Sequence, residues 1–248
     1  MRALTLTYPP PFEEGVFDAL VDVALERRFQ NVQLCGLQSV FSGSSLARLL
    51  GSETLSLANI SGFFRDETML ITELQSSAIL IAAALDRNKS LIIFNLESAG
   101  IFSDAAAAEA LLRALSIAHP RLSNISLQGN RAAAADRARI GASLGVLVAN
   151  TRIGSLNLSG CNLGDEGLGP LVDALKINTT LHTLACSDNA ISEKFAHQRL
   201  RPAILANTSL YFIQLVPGYG VSAGPAYLRE MEQLFKDRLD ERLRRWAA

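Results

Sequence analysis

A chain of 248 residues, 49% of them apolar, can bury a continuous core, which excludes an intrinsically disordered segment as a description of the whole. Its 23 basic and 24 acidic residues leave a formal net charge of −1, so the global balance indicates neither a nucleic acid nor an anionic membrane as partner; only a local patch would do so. Three cysteines, Cys35, Cys161 and Cys186, are too few and too oddly numbered for a disulfide framework and fit a reducing compartment.

In chain order, short strands alternate with helices. The stretch Met1-Arg2-Ala3-Leu4-Thr5-Leu6 reaches Pro9-Pro10-Pro11 without the apolar run and cleavage site of a signal peptide. The expected location is therefore the cytoplasm, or a host cytosol after delivery. Leu4 and Leu6 alternate as one face of a strand, and Val32, Leu34 and Leu37 do the same in a unit starting at Phe29. A third unit is placed at Ser52, with Leu55 and Leu57 inward and Ile60 closing it. An insertion follows, Gly62 to Leu74. Its Phe63, Phe64 and Met69 read either as a protruding apolar contact for a partner or as part of a longer helix that extends the core. The next helix holds the longest apolar run, Ala78 to Leu85, far short of the ~20 residues of a membrane span.

Later units start at Leu91 (Phe94, Leu96, Ala99, Ile101), Leu122 (Ile125, Leu127, Asn130), Ile153 (Leu156, Leu158, Cys161, Leu163), Leu181 (Leu184, Cys186, Asn189, Ile191) and Leu210 (Ile213, Leu215), 28 to 31 residues apart. Counting each start as zero, positions 3 and 5 carry inward strand side chains, and an apolar stripe such as Leu168, Leu171, Val172 and Leu175 gives the helix the same interior. Asn130 and Asn189, at position 8, can satisfy backbone groups where the chain leaves the strand; Cys161 fills that place as a small buried group. One strand and one helix cannot bury an apolar side alone, so units must stack. Six matches to Asn-x-Ser/Thr, at Asn59, Asn88, Asn124, Asn157, Asn178 and Asn207, are read as by-products of this pattern rather than glycosylation sites. After Pro225, the residues Tyr227, Leu228, Met231, Leu234, Phe235, Leu239, Leu243 and Trp246 form a helical stripe. It is read as a cap over the last unit, with a partner-binding helix as the other reading.

The stretch Leu-Asn-Leu-Ser-Gly-Cys-Asn-Leu-Gly-Asp-Glu-Gly-Leu at 156–168, with the units over 91–209, resembles the ribonuclease-inhibitor type of leucine-rich repeat. The resemblance implies an α/β fold, a leucine-rich-repeat solenoid curved like a horseshoe. Its parallel sheet would line the concave face and its helices the convex face, in about eight repeats plus a C-terminal capping helix. One domain is expected over 1–248, with degenerate repeats over 1–90, regular ones over 91–209, and the last strand and cap over 210–248. Similar arrays occur in ribonuclease inhibitor, the Ran GTPase-activating protein, tropomodulin, immune-receptor sensors and delivered bacterial effectors, so the resemblance specifies a fold rather than a function.

Positions 2, 4 and 6 of each strand would line the concave sheet, a row that is mostly small, polar and uncharged. Asn95, Glu97, Asn124, Gln128, Asn157 and Gln214 offer its longer polar groups, and Phe212 its aromatic. His119, His182 and His197 share no motif; no Gly-rich loop ending in Gly-Lys-Ser/Thr, no His-Glu-x-x-His and no paired-Cys spacing occurs. The expectation is a monomeric, non-enzymatic protein-interaction module without cofactor or metal, which binds a protein partner through the concave sheet or the insertion. The Ala-rich helices, at 105–108 and 132–135, suggest a bacterial protein or effector. Two alternatives stand beside it. One is a GTPase activator similar to the Ran activator, although Asp240-Glu-Arg-Leu-Arg-Arg-Trp246 stands where that resemblance implies an acidic tail. The other is an actin-binding cap resembling the tropomodulin repeat domain.

Overall fold

Strands that alternate with helices and share one interior must run parallel, because each helix carries the chain back before the next strand begins. The computed structural model, which describes residues 2–7, 9, 13, 15–37, 42–62, 74–117, 119–150, 152–217 and 224–247, has this arrangement. Strands β1 (Ala3–Thr7), β2 (Asn31–Leu37), β3 (Leu57–Gly62), β4 (Ile93–Glu97), β5 (Asn124–Ser126), β6 (Ser155–Asn157), β7 (Thr183–Ala185) and β8 (Phe212–Gln214) form one sheet in chain order. Every neighbouring pair is parallel. The returning helices are α1 (Val16–Glu26), α2 (Gly43–Leu50), α3 (Leu74–Arg87), α4 (Ala105–Ser116), α5 (Arg137–Asn150) and α6 (Gly164–Leu175). The next return is a helical turn, α7 (Glu193–Phe195), that passes through a π turn at Ala196–Leu200 into α8 (Arg201–Ala206). Pro202 has no N–H for the regular helical ladder, which accounts for the wide turn ahead of it.

Register fixes which side chains enter the core. Val32, Ala58, Phe94, Ile125, Leu156, Leu184 and Ile213 occupy one buried row. Leu34, Ile60 and Leu96 lie in the next. The third unit therefore differs from the sequence expectation. Ala58 and Ile60, not Leu55 and Leu57, are its inward strand pair; Leu55 is the buried first residue, and Leu57, Asn59 and Ser61 turn to the other face in place of Thr54, Ser56 and Ala58. A shift of three residues is odd, so it exchanges the two faces of the strand. The insertion residues Phe63, Phe64 and Met69 lie outside the described residues.

Two ladders of buried asparagines tie repeat to repeat. Asn130 accepts from the backbone N–H groups of Ala99 (3.1 Å) and Ile101 (3.0 Å), and donates to the carbonyls of Leu96 (2.7 Å) and Leu127 (2.9 Å). Asn189, one step beyond Cys161, accepts from Leu163 N and donates to Leu158 O and Cys186 O, and the Cys161 thiol donates to Leu127 O at 3.2 Å. The second ladder lies three residues ahead of each start. Asn88, Asn178 and Asn207 each accept from the two backbone N–H groups that open the next strand and donate to carbonyls of the preceding repeat. These are three of the six Asn-x-Ser/Thr matches, and all three are buried. They are structural members of the repeat, as a buried polar group must be when it is to avoid a desolvation cost.

Between α5 and α6 the helix layer closes through missing side chains. A Cβ on Gly141 of α5 would sit 2.4 Å from Gly167 O, and one on Gly145 would sit 2.9 Å from Pro170 Cβ, so α5 and α6 touch backbone to backbone. At the C-terminal end, α9 (Ala226–Ala247) lays Leu228, Met231 and Phe235 onto the last repeat, where they are buried. This is the cap that the apolar stripe predicts.

Candidate protein-binding surface

The face of the sheet opposite the core is built by the same register. Asn95, Ser126, Asn157, Ala185 and Gln214 occupy consecutive rungs of one row, and Ile93, Asn124, Ser155, Thr183 and Phe212 those of the next. Asn95, Glu97, Asn124, Gln128 and Asn157 thus form one patch across β4 to β6. Phe212 and Gln214 lie two strands away on β8, joined to the patch through Thr183 and Ala185. Asn124 and Phe212 are exposed, and the other five are half-buried.

The patch is held by its own hydrogen bonds. Asn157 Nδ2 donates to Gln128 Oε1 at 2.8 Å, and the N–H of Ser159 donates to Asn157 Oδ1 at 3.0 Å. Ser126 Oγ donates to Glu97 Oε1 at 2.5 Å, and Ser123 Oγ to Asn124 Oδ1 at 2.6 Å. Side chains fixed in this way lose less entropy when a partner arrives. The register of β3 adds Leu57 and Asn59 to this face, where the sequence reading did not place them. Gln33, Asn59 and Asn95 are register partners in a row of amides, and Leu57 lies beside Ile93. Asn59 Oδ1 is buried and accepts no hydrogen bond among the described residues. The signal that would have found them is the pairing of Ala58 with Phe94: a small inward residue is compensated by the bulk of its neighbour.

The thiols and the imidazole of His119 are placed otherwise. Burial pushes the thiols of Cys161 and Cys186 up to about 12, which withholds the thiolate needed for nucleophilic attack. Burial also lowers the pKa of the His119 imidazole, whose Nδ1 lies 3.2 Å from Asn88 O. His119 occupies the place in its repeat that Asn178 and Asn207 take in theirs. Among the described residues no group of three His, Cys, Asp or Glu is arranged to hold a metal ion, and no helix is long and apolar enough to cross a membrane. Cys35, half-buried, is the thiol nearest solvent. A disulfide-exchange reagent added to the native protein is expected to label Cys35 first, with Cys161 and Cys186 following only as the chain unfolds. Fast labelling of more than one thiol would contradict the burial described here.

No family profile and no curated protein matches the sequence. Among solved structures, the actin-binding site 2 of leiomodin-1 is similar, with a TM-score of 0.54 and 16% identity over 67% of this chain and 91% of that one. The tropomodulin C-terminal domain of Caenorhabditis elegans gives 0.45 at 16% identity, over 83% of this chain and 99% of that one. A leucine-rich-repeat-containing protein of Legionella pneumophila gives 0.42 at 13% identity, over 95% and 98%. Together with eight parallel strands in chain order and a helix returning between each pair, the likeness to leiomodin-1 is one of fold. The architecture is a leucine-rich-repeat solenoid.

Proposed function

We propose that this chain is a non-catalytic protein-binding module whose recognition face is the sheet surface around Asn95, Glu97, Asn124, Gln128 and Asn157 and extends to Phe212 and Gln214. The observation that carries this reading is the pre-set web of polar, mostly uncharged side chains across β4 to β6, together with the exposed Phe212 on the same face. Neutral amides and one carboxylate suit a partner recognised by shape and hydrogen bonds rather than by strong electrostatic steering. The insertion residues Phe63, Phe64 and Met69 belong to the same proposal as a second contact. The 28 to 31 residue spacing supports the ribonuclease-inhibitor class of repeat. Affinity capture with the wild-type chain and with Asn95→Lys/Gln128→Lys/Asn157→Lys tests the face. Loss of the captured protein from the variant supports it, and equal capture moves the site elsewhere.

A second reading, a role at actin filaments, draws on the shared fold with leiomodin-1 and on the docked α9. Co-sedimentation with filaments, with and without residues 225–248, decides it: no pelleting of the intact chain, or pelleting unchanged by the truncation, removes it.

A further inference from the structure

The formal charge of −1 conceals a segregation across the solenoid. In the later repeats, the connections from helix to strand at 117–123, 149–155, 176–183 and 205–212 contain no acidic residue and carry His119, Arg121, Arg152, Lys176 and His182, whereas the earlier one at 51–56 carries Glu53. The opposite rim, where strands lead into helices, is net acidic, with Asp104, Asp136, Asp165, Glu166, Asp188 and Glu193 against Arg131, Arg137 and Lys194. Part of this complements the helix dipoles, an effect confined to the last turn of each helix. Arg121 and Arg152 lie beyond the ends of α4 and α5, at Ser116 and Asn150. Both arginines are exposed, and neither has a hydrogen bond or ion pair among the described residues. The N–H of Ser123 donates to Ile92 O and that of Gly154 to Ser123 O, so the two arginines stand one rung apart, about 5 Å along the sheet. Two cationic side chains rooted on neighbouring rungs, with no acidic residue in either connection, favour an anion that can reach both.

Aromatic surface continues the same rim. Gly154 carries no side chain, and the His182 ring stands beside its bare backbone: a Cβ on Gly154 would lie 3.6 Å from His182 Nδ1. Tyr211 meets His182 one rung further on, with ring centroids 5.6 Å apart at 49°. Tyr211 is 56% exposed and Phe212, at the corner where this rim meets the recognition face, 47%. Exposed aromatics beside arginines are the composition of binding hot spots.

We propose that the rim formed by Arg121, Arg152, His182, Tyr211 and Phe212 docks an acidic segment of a partner protein, with an aliphatic or aromatic side chain of that segment seated on Tyr211 and Phe212. The inference rests on the protein-binding reading and deepens it. Nucleic acid fits less well, because backbone binding gains strength from many cationic contacts and this rim offers two unpaired arginines, Lys176 being paired with Asp173 at 2.8 Å.

Three fluorescent probes test this by anisotropy: a synthetic peptide of alternating Asp and Glu around a Leu-x-x-Phe core, its Asn/Gln counterpart, and a single-stranded oligouridine. The acidic peptide is expected to bind, with the neutral one weaker by about tenfold or more. Arg121→Glu/Arg152→Glu should weaken the acidic peptide by at least about tenfold and flatten its salt dependence, and Tyr211→Ser/Phe212→Ser should weaken both peptides by about tenfold. Unchanged thermal melts for both double variants, whose side chains are exposed, would show that folding is intact. Absent or equal binding of the two peptides, wild-type affinity in either variant, or preference for oligouridine would overturn the proposal. Capture with these rim variants keeps the two readings apart. If they retain a protein that Asn95→Lys/Gln128→Lys/Asn157→Lys loses, the rim is wrong and the protein-binding reading stands; if even the wild type captures nothing, both fall.

Discussion

Replacement of Asn189 by alanine is expected to lower unfolding stability by about 3–5 kcal/mol, because the buried amide serves four backbone groups and alanine serves none. Asn189 accepts from Leu163 N at 3.0 Å and donates to Leu158 O (2.8 Å), Cys186 O (3.0 Å) and Ser187 O (3.2 Å). Two of those groups belong to its own repeat and two to the one before, so the loss falls on the joint between repeats as well as on the turn. Cys161, at the same position one repeat earlier, donates to Leu127 O and, at 3.8 Å, to Ser159 O, the weaker bonds of a thiol. Its replacement by alanine is expected to cost less, about 1–2 kcal/mol. Urea unfolding of the two variants, with exposed Thr179→Ala as a control that shifts by less than about 0.5 kcal/mol, measures the difference. Equal costs at Asn189 and Cys161 would mean that the ladder contributes little beyond packing.

The second large effect is expected at the C-terminal cap. A ninth repeat would supply carbonyls to the free N–H groups of the last strand and an asparagine to the carbonyls of α8, and α9 provides both by other means. Glu232 Oε1 accepts from Leu215 N (2.5 Å) and Val216 N (3.0 Å), as Gln214 O accepts from Cys186 N one strand earlier. The Arg238 guanidinium donates to Ile204 O and, at 2.8 Å, to Asn207 O. These correspond to Leu175 O and Asn178 O, which receive Asn207 Nδ2 in the preceding repeat. Tyr227 OH adds a donor to Ile191 O at 2.5 Å. Glu232→Ala/Arg238→Ala should therefore cost about 3–5 kcal/mol. The cost should fall short of the sum of the single changes, because either one already loosens the same helix. Hydrogen exchange should quicken first in residues 201–217, as expected for an array whose repeats depend on their neighbours. Loss of protection spread evenly along the chain would show instead that α9 holds no particular end.

How far the sequence disclosed this can be traced residue by residue. Strong period-two pairs such as Phe94 with Leu96 and Leu156 with Leu158 placed their strands correctly, since nothing else nearby mimics the alternation. The third unit misled because Leu55 and Leu57 also alternate. The true inward residue, Ala58, is small, and its space is filled by Phe94 on the neighbouring strand, a compensation that appears only when strands are paired. Asn130 and Asn189 were legible as turn asparagines, whereas Asn88, Asn178 and Asn207 resembled incidental Asn-x-Ser/Thr matches until their partners in the preceding repeat were known. The rim of Arg121, Arg152, His182 and Tyr211 lies ahead of the strands, outside the alternating positions that define the sheet face. Its members are distant in sequence and adjacent only through stacking.

A partner bound as proposed, on the sheet face and its adjoining rim, would leave the helix layer as their scaffold. Hydroxyl-radical footprinting of the complex with a captured partner tests this most directly, because exposed aromatic and aliphatic side chains mark both sides of the solenoid. Protection of Ile93, Tyr211 and Phe212, with unchanged oxidation of Ile79, Leu80 and Val146 on α3 and α5, is the predicted result. Protection of Ile79, Leu80 and Val146 with Tyr211 and Phe212 still freely oxidised would contradict it.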